Sequence, residues 1–582
     1  MAGQIVASQS TTTYDFIIVG GGTAGLTLAA RLSEDEDTTV AVVEAGSYYQ
    51  ITNPLLSSTP AGASFWAGSS PTDVNPGVDW GFVTTPQAGA NDRQLHYARG
   101  KCLGGSSGRN FMVYHRPDKG SLQQWADTVD DQSYTFDSLL PYFQKSVNFT
   151  PPGPTRFENA TARYSGDVFS PEGGPLQVSY PNYANPFNTW MPHAFAELGI
   201  NETQDFNSGN LLGSQWCTTT INPHNAFRSD SQTAFLEASQ ARPNLKVYYL
   251  TLAIQIIFED KIAVGVRLDS GLTLHARREV ILSAGAIQSP QLLMVSGVGP
   301  ADLLGQLGIP VVANRPGVGQ NLTDHVMFGP SYRVTTPTLG PLIEDPALIF
   351  AEIIRYYSTA RGPLTSPATE YLGWEKVPRE LLSNSTARLL AQLPASWPEI
   401  EYVGLPVHSG NLSSVLDGPP GENLASIIGV LVAPQSRGNI SIRSADMAEP
   451  PDINPNWLTH QVDQDLVLVA YKRIRRMFAA DTLRPLLADV VEYFPGPAVQ
   501  TDDQILELLR DTMTTVWHAA TTCRMGRRDD PNAVVDTSAR VIGVHGLRIV
   551  DASAFALLPP GHPQAMVYGF AEKIADEIRK GQ

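Results

Sequence analysis

The stretch that most constrains the chain is Gly20-Gly21-Gly22-Thr23-Ala24-Gly25, which follows directly on the apolar run Tyr14 to Val19. A segment of helical character runs on through Arg31, and a second apolar run, Thr39 to Val43, ends at Glu44. Strand, glycine-rich turn, helix and strand make a βαβ unit, the opening of a doubly wound parallel sheet. Gly20 allows the tight turn, Gly22 lets backbone approach a pyrophosphate, and Gly25 lets helix and strand pack closely. The helix opening at Thr23 and Ala24 turns free N–H groups and the positive end of its dipole toward phosphates. Glu44, 19 residues after Gly25, is placed to accept hydrogen bonds from a ribose diol, and its charge disfavours a 2′-phosphate. The pattern alone does not separate a nicotinamide from a flavin dinucleotide.

At 582 residues the chain exceeds one ordinary core, so two lobes are expected. No apolar run reaches the ~18 residues of a membrane span. The formal charge of −17 repels phosphate backbones and anionic lipid, which argues against nucleic acid and membrane partners and for a small neutral substrate. The three cysteines, Cys102, Cys217 and Cys523, form no CxxC pair, so neither a metal site nor dithiol chemistry is expected. Seven Asn-x-Ser/Thr sequons occur, at Asn148, Asn159, Asn201, Asn321, Asn384, Asn411 and Asn439, against roughly three by chance. Met1 to Thr13 is polar and lacks a signal-peptide core. A mature secreted chain whose signal was replaced by an initiator Met reconciles the two; a cytoplasmic location is the alternative.

Alternating apolar residues from Leu245 to Leu282 predict several strands, Gln461 to Phe478 a helix, and Ala565 to Arg579 a last helix with Val567, Phe570, Ile574 and Ile578 on one face. The N- and C-terminal segments therefore read as one discontinuous nucleotide domain, residues 14–50, 95–150, 226–329 and 511–582. Residues 51–94, 151–225 and 330–510 are assigned to a second domain and a covering excursion.

Three further segments specify the family. Gly100-Lys101-Cys102-Leu103-Gly104-Gly105-Ser106-Ser107-Gly108-Arg109-Asn110 is small and flexible enough to lie against a flat ring. Gly285 to Leu293 continues to Ser296-Gly297-Val298-Gly299. His518-Ala519-Ala520-Thr521-Thr522-Cys523-Arg524-Met525-Gly526 precedes Leu547 to Ser553 and Gly561-His562-Pro563-Gln564. In this order, and over nearly the whole chain, they resemble the two signatures and the C-terminal catalytic region of the glucose–methanol–choline (GMC) oxidoreductases.

The resemblance implies an α/β fold: a Rossmann-type FAD-binding domain with an α+β substrate-binding domain built on an antiparallel sheet. It places FAD against Gly20, Gly22, Thr23, Ala24, Gly25, Glu44, Gly100, Gly104, Gly105 and Ser106. Asn110, Phe111, Met112, Val113, Ala253, Ala284, Gly285, Trp517, Asp551, Ala552, His562, Pro563 and Gln564 complete the expected cofactor site. Arg109 stands where choline-oxidising relatives carry a histidine bonded to the flavin, so FAD is expected to be non-covalent. Thr521 replaces a glycine usual in the family.

Among eleven histidines, motif position singles out His518 and His562. His518 is expected to take the hydroxyl proton of an alcohol while hydride leaves its carbon for flavin N5, and His562 to hydrogen-bond the substrate oxygen. His96, His115 and His408 read as ordinary histidines. Asp551 is expected near the pyrophosphate, and N–H groups at Gln564 at the reduced flavin's negative charge. The favoured reaction is oxidation of an aryl or allylic primary alcohol to the aldehyde, with O2 or another acceptor as partner, in a monomer or dimer. Arg109 to Met112 are reminiscent of members from fungal secondary metabolism. A sugar oxidase or dehydrogenase, and a redox-silent lyase or cyclase with structural FAD, are the alternatives.

Overall fold

Phe16, Ile17, Ile18 and Val19 are all buried, as a strand covered on both faces requires. In the computed structural model, which describes residues 11–153, 156 and 160–581, the Thr11–Val19 strand is the middle of a seven-stranded sheet. It pairs in parallel with Val40–Val43 on one side and Thr273–Leu282 on the other. Leu245–Tyr248 and Leu547–Ile549 extend the parallel set, and Ile262–Leu268 and Ala253–Glu259 close one edge as an antiparallel meander. The Thr23–Leu32 helix packs against the terminal Gln564–Arg579 helix, whose Phe570, Ile574 and Ile578 are buried as their spacing predicts.

The second lobe is an eight-stranded sheet, antiparallel at every pairing. Its Leu424–Leu431 strand is buried along its whole length and is covered by the Gln461–Ala479 helix. Ile400–Leu405 runs beside it with Val403 opposite Ile428. Two short strands, Val326–Phe328 and Thr514–Thr515, also pair in this sheet, although the sequence division puts 226–329 and 511–582 wholly in the nucleotide lobe. Strands of two or three residues carry too little alternation to be read. His325 directly precedes the first of them, and His518 follows the second by three residues.

Among the described residues, no helix is long and apolar enough to cross a membrane. All three cysteines are buried free thiols. Asn148, Asn201, Asn384 and Asn411 are exposed, Asn321 and Asn439 are half-buried, and Asn159 lies outside the described residues.

Candidate active site

A cavity of about 350 Å³ opens where the parallel strands end and runs across to the antiparallel sheet. Every residue assigned to the site from sequence lines it except Gly25 and Gly104. Those two act from behind the wall. A Cβ on Gly25 would run into the Gly20 carbonyl, so Gly25 closes the helix onto the turn. Gly104 holds φ +96 and donates its N–H to the Gly21 carbonyl at 2.8 Å, which joins the two glycine-rich turns. Gly22 and Gly105 then face each other: a Cβ on Gly22 would sit 3.6 Å from the Gly105 Cα.

The Glu44 carboxylate is buried and set by two backbone donors, Gly21 N–H at 2.8 Å and Gly46 N–H at 2.7 Å. Burial outweighs those donors and pushes its pKa up to about 7. Each oxygen keeps a lone pair for a ribose hydroxyl. Gly285, at φ +84, lines the cavity, and a Cβ there would meet nothing. The residues present therefore fit a flavin dinucleotide. Asp551 lines the cavity, but its carboxylate is spent on the protein: it accepts from Gly285 N–H at 2.9 Å, Ser289 Oγ at 2.6 Å and Ser553 N–H at 2.7 Å. It holds the second signature onto the last strand.

Four histidines gather at one end of the cavity. The rings of His518 and His562 lie 5.0 Å apart and nearly perpendicular. His518 Nδ1 is 3.0 Å from His325 Nδ1. The His562 backbone N–H donates to His115 Nε2 at 2.7 Å, and its ring Nε2 donates to Glu401 Oε1 at 2.9 Å. His115, read as ordinary from sequence, thus anchors the Gly561–His562 turn, because its own Nδ1 donates to the Arg116 carbonyl at 3.1 Å. His96 is a buried partner of Asp79, and His408 lines the outer cavity.

Burial and the neighbouring charges of His562, His325, His115 and Arg99 hold His518 well below the usual histidine range. A buried ring beside Arg99 and three other histidines loses its proton readily. His325 and His115 are likewise lowered, each to about 3, chiefly by burial.

Asp324 organises this end and escaped the sequence reading. Its carboxylate accepts from the backbone N–H of both His325 and His518 at 2.9 Å, from Thr515 Oγ1 at 2.6 Å and from Trp457 Nε1 at 3.2 Å. Burial pushes it up to about 6. Also missed were Glu401, on the Ile400–Leu405 strand, and Arg228. Arg228 is buried and donates to the Ser107 and Asn110 carbonyls at 3.0 and 2.7 Å, which fixes the first signature. The adjacent Asp324-His325 pair inside a hydrophobic stretch was the one signal available.

Thr521 sits at φ +69, a left-handed conformation that costs a threonine energy and a glycine nothing. Its hydroxyl bonds the Asn321 carbonyl at 2.5 Å and Thr323 Oγ1 at 3.1 Å, which offsets the strain.

GMC oxidoreductase family models match residues 14–327 and 434–571. The chain belongs to the GMC oxidoreductases. Patulin synthase of Aspergillus clavatus is 50% identical over 590 residues, covering 99% of this chain and 94% of that protein. The solved structure of an FAD-dependent oxidoreductase from Chaetomium thermophilum superposes with a TM-score of 0.83 at 29% identity, over 98% of this chain and 99% of its own. That of a fungal aryl-alcohol oxidase gives 0.81 at 26%, over 98% and 99%. The GMC chain is thus an FAD enzyme of the oxidoreductase class, and the two-lobed α/β architecture is that of its family.

Proposed function

We propose that the enzyme oxidises an aryl or allylic primary alcohol to its aldehyde, with His518 as the base. The observation that carries this reading is the His518–His325 contact. Two neutral rings that meet Nδ1 to Nδ1 share one proton. We place the His325 ring proton on Nε2, which has no hydrogen-bond partner among the described residues, and leave its Nδ1 to face His518. His325 Nδ1 is then the acceptor, His518 Nδ1–H the donor, and His518 Nε2 is left bare. Held neutral by burial, His518 has a lone pair ready for the alcohol proton. His562 donates Nε2–H to Glu401, so a neutral ring has only the Nδ1 lone pair left for the cavity, an acceptor toward the substrate hydroxyl rather than a donor to its oxygen.

Bound FAD supplies the acceptor for the hydride that leaves the alcohol carbon, and O2 or another oxidant takes the electrons on. Met327, Val403, Leu405, Ile428 and Val430 make an apolar wall beside the histidines. Phe111 and Trp517 stack across from it at 5.7 Å and 14°. Such a surface favours flat unsaturated groups over sugars. The likeness to a solved fungal aryl-alcohol oxidase supports the same class.

FAD is held without a covalent bond in this reading. Arg109 occupies the tethering position, with its guanidinium directed to the Trp66 carbonyl at 3.0 Å and Asp79 at 3.4 Å. Exposed sequons at Asn148, Asn201, Asn384 and Asn411 support a secreted glycoprotein, which an intact mass after eukaryotic expression checks. Anaerobic mixing of the yellow protein with aryl alcohols, allylic alcohols and sugars tests the reaction. Bleaching by aryl or allylic alcohols is expected. A flavin that dithionite reduces but no alcohol bleaches would move the chain to the redox-silent lyases and cyclases.

A further inference from the structure

A buried guanidinium behind the cavity wall sets two amides that line the cavity. Arg228 is 3% exposed. Its Nε donates to the Ser57 carbonyl at 2.8 Å. Its Nη1 donates to the carbonyls of Ser107 and Asn110 at 3.0 and 2.7 Å, and to Asn110 Oδ1 at 2.9 Å. The neighbouring Asp230 carboxylate does not take up this cation, since it accepts from the Gln232 and Thr233 N–H groups at 2.7 and 3.0 Å.

An arginine only donates, so the orientation of the Asn110 amide is decided. Its oxygen accepts from Arg228 and from the Met112 N–H, the latter at 3.0 Å. Its Nδ2 is left to donate to Gln564 Oε1 at 3.1 Å, and Gln564 Nε2 then donates to the Val113 carbonyl. One cation thus fixes the sense of two successive amides, and a charged donor strengthens the bonds that follow it. Asn110 Oδ1 is spent on two donors, while each NH2 group keeps a second N–H.

Both amides line the cavity where a flavin ring has to lie. Gly105 faces Gly22 of the dinucleotide turn, and Phe111 stacks on Trp517, next to His518. Residues 106–110 therefore span the distance from the phosphates to the histidines. Gln564 follows His562 by two residues and opens the Gln564–Arg579 helix. A reduced flavin ring carries negative charge, and donors fixed in advance beside it stabilise that charge without reorganising.

We propose that Arg228 is a positioning residue for the reduced flavin: through Asn110 and Gln564 it holds amide N–H groups, not oxygens, toward the ring, and so makes the bound flavin a stronger oxidant. This holds whichever alcohol reacts.

The midpoint potential of the flavin tests the proposal, read in the holoenzyme by anaerobic equilibration with a reference dye. Arg228→Met is expected to shift the reduced-to-oxidised flavin ratio about tenfold toward the oxidised form, or about 30 mV for a two-electron couple. Arg228→Lys, which keeps a charged donor, should recover most of that shift. Asn110→Asp keeps the bonds to Arg228 and Met112 but sets an oxygen against Gln564, and should lower the potential at least as far. It leaves the buried cation paired, so it serves if Arg228→Met does not fold. In an Asn110→Leu background, Arg228→Met should shift the potential no further. An unchanged potential in Arg228→Met or in Asn110→Asp would overturn the proposal. So would a full shift by Arg228→Met in the Asn110→Leu background, or an Arg228→Met that loses affinity for FAD while the flavin it retains keeps the wild-type potential.

Discussion

His325 and His518 meet Nδ1 to Nδ1 at 3.0 Å, with both backbone N–H groups tied to the one Asp324 carboxylate. The partner ring thus sets which nitrogen of His518 is bare. His325→Leu is expected to slow flavin reduction by about tenfold or more at unchanged FAD content, because the wrong tautomer cannot accept a proton. His325→Asn, whose side-chain oxygen accepts from Nδ1–H, should recover part of the loss. Equal rates in His325→Leu and wild type would remove His325 from the account.

The pH profile follows from the direction of the His518 shift. A protonated His518 cannot act as base, so the rate is full above its pKa and lost as pH falls through it. Since burial and its cationic neighbours lower that pKa, the acid limb of the limiting reduction rate should lie well below 6.5. Asp324, raised to about 6, and Glu44, raised to about 7, titrate above it. A half-maximal rate set by one group at or above 6.5, and unmoved in Asp324→Asn, would contradict a depressed His518.

Two glycines in one turn should behave differently. Gly25→Ala drives a methyl into the Gly20 carbonyl, backbone against backbone, and is expected to destabilise the nucleotide lobe by about 1–3 kcal/mol. A Cβ on Gly22 meets only the Gly105 Cα at 3.6 Å, an ordinary contact. Gly22→Ala should therefore fold with a near-normal apoprotein melting temperature and lose affinity for FAD. Thermal melts of the apoproteins and FAD titrations separate the two effects.

Much of this was legible in the chain because it depends on short-range backbone demands. The turn from Gly20 to Gly25 joins strand to helix at the cavity, and Glu44 lines that cavity just past the next strand. The rest was hidden because it depends on contacts far apart in sequence. Glu401 reaches His562 across 161 positions and His325 reaches His518 across 193. His115 looked ordinary since nothing near it in sequence signals the Gly561–His562 turn it supports. Val326–Phe328 and Thr514–Thr515 were not legible as strands for want of length: so few residues show no periodicity, and their pairing partners lie elsewhere in the chain.

Glu401 is buried on the strand that faces the histidines and accepts from His562 Nε2. Glu401→Gln keeps an acceptor and removes a charge; Glu401→Leu removes both. The rate of flavin reduction by the alcohol is expected to fall by about tenfold in Gln and further in Leu, with FAD retained. A Leu variant as fast as wild type would leave His562 independent of Glu401.

Non-covalent FAD has a direct check. Acid precipitation of the yellow protein should leave all the flavin in the supernatant. Flavin that stays with the pellet would show a covalent link that the Arg109 contacts give no reason to expect.

Anaerobic stopped-flow reduction of wild type and His518→Ala tests most directly whether His518 is the base for alcohol oxidation. With an alcohol that bleaches the wild-type flavin, the variant should bind FAD normally and reduce ~10²-fold or more slowly. Reduction at the wild-type rate in the FAD-loaded variant would contradict the assignment.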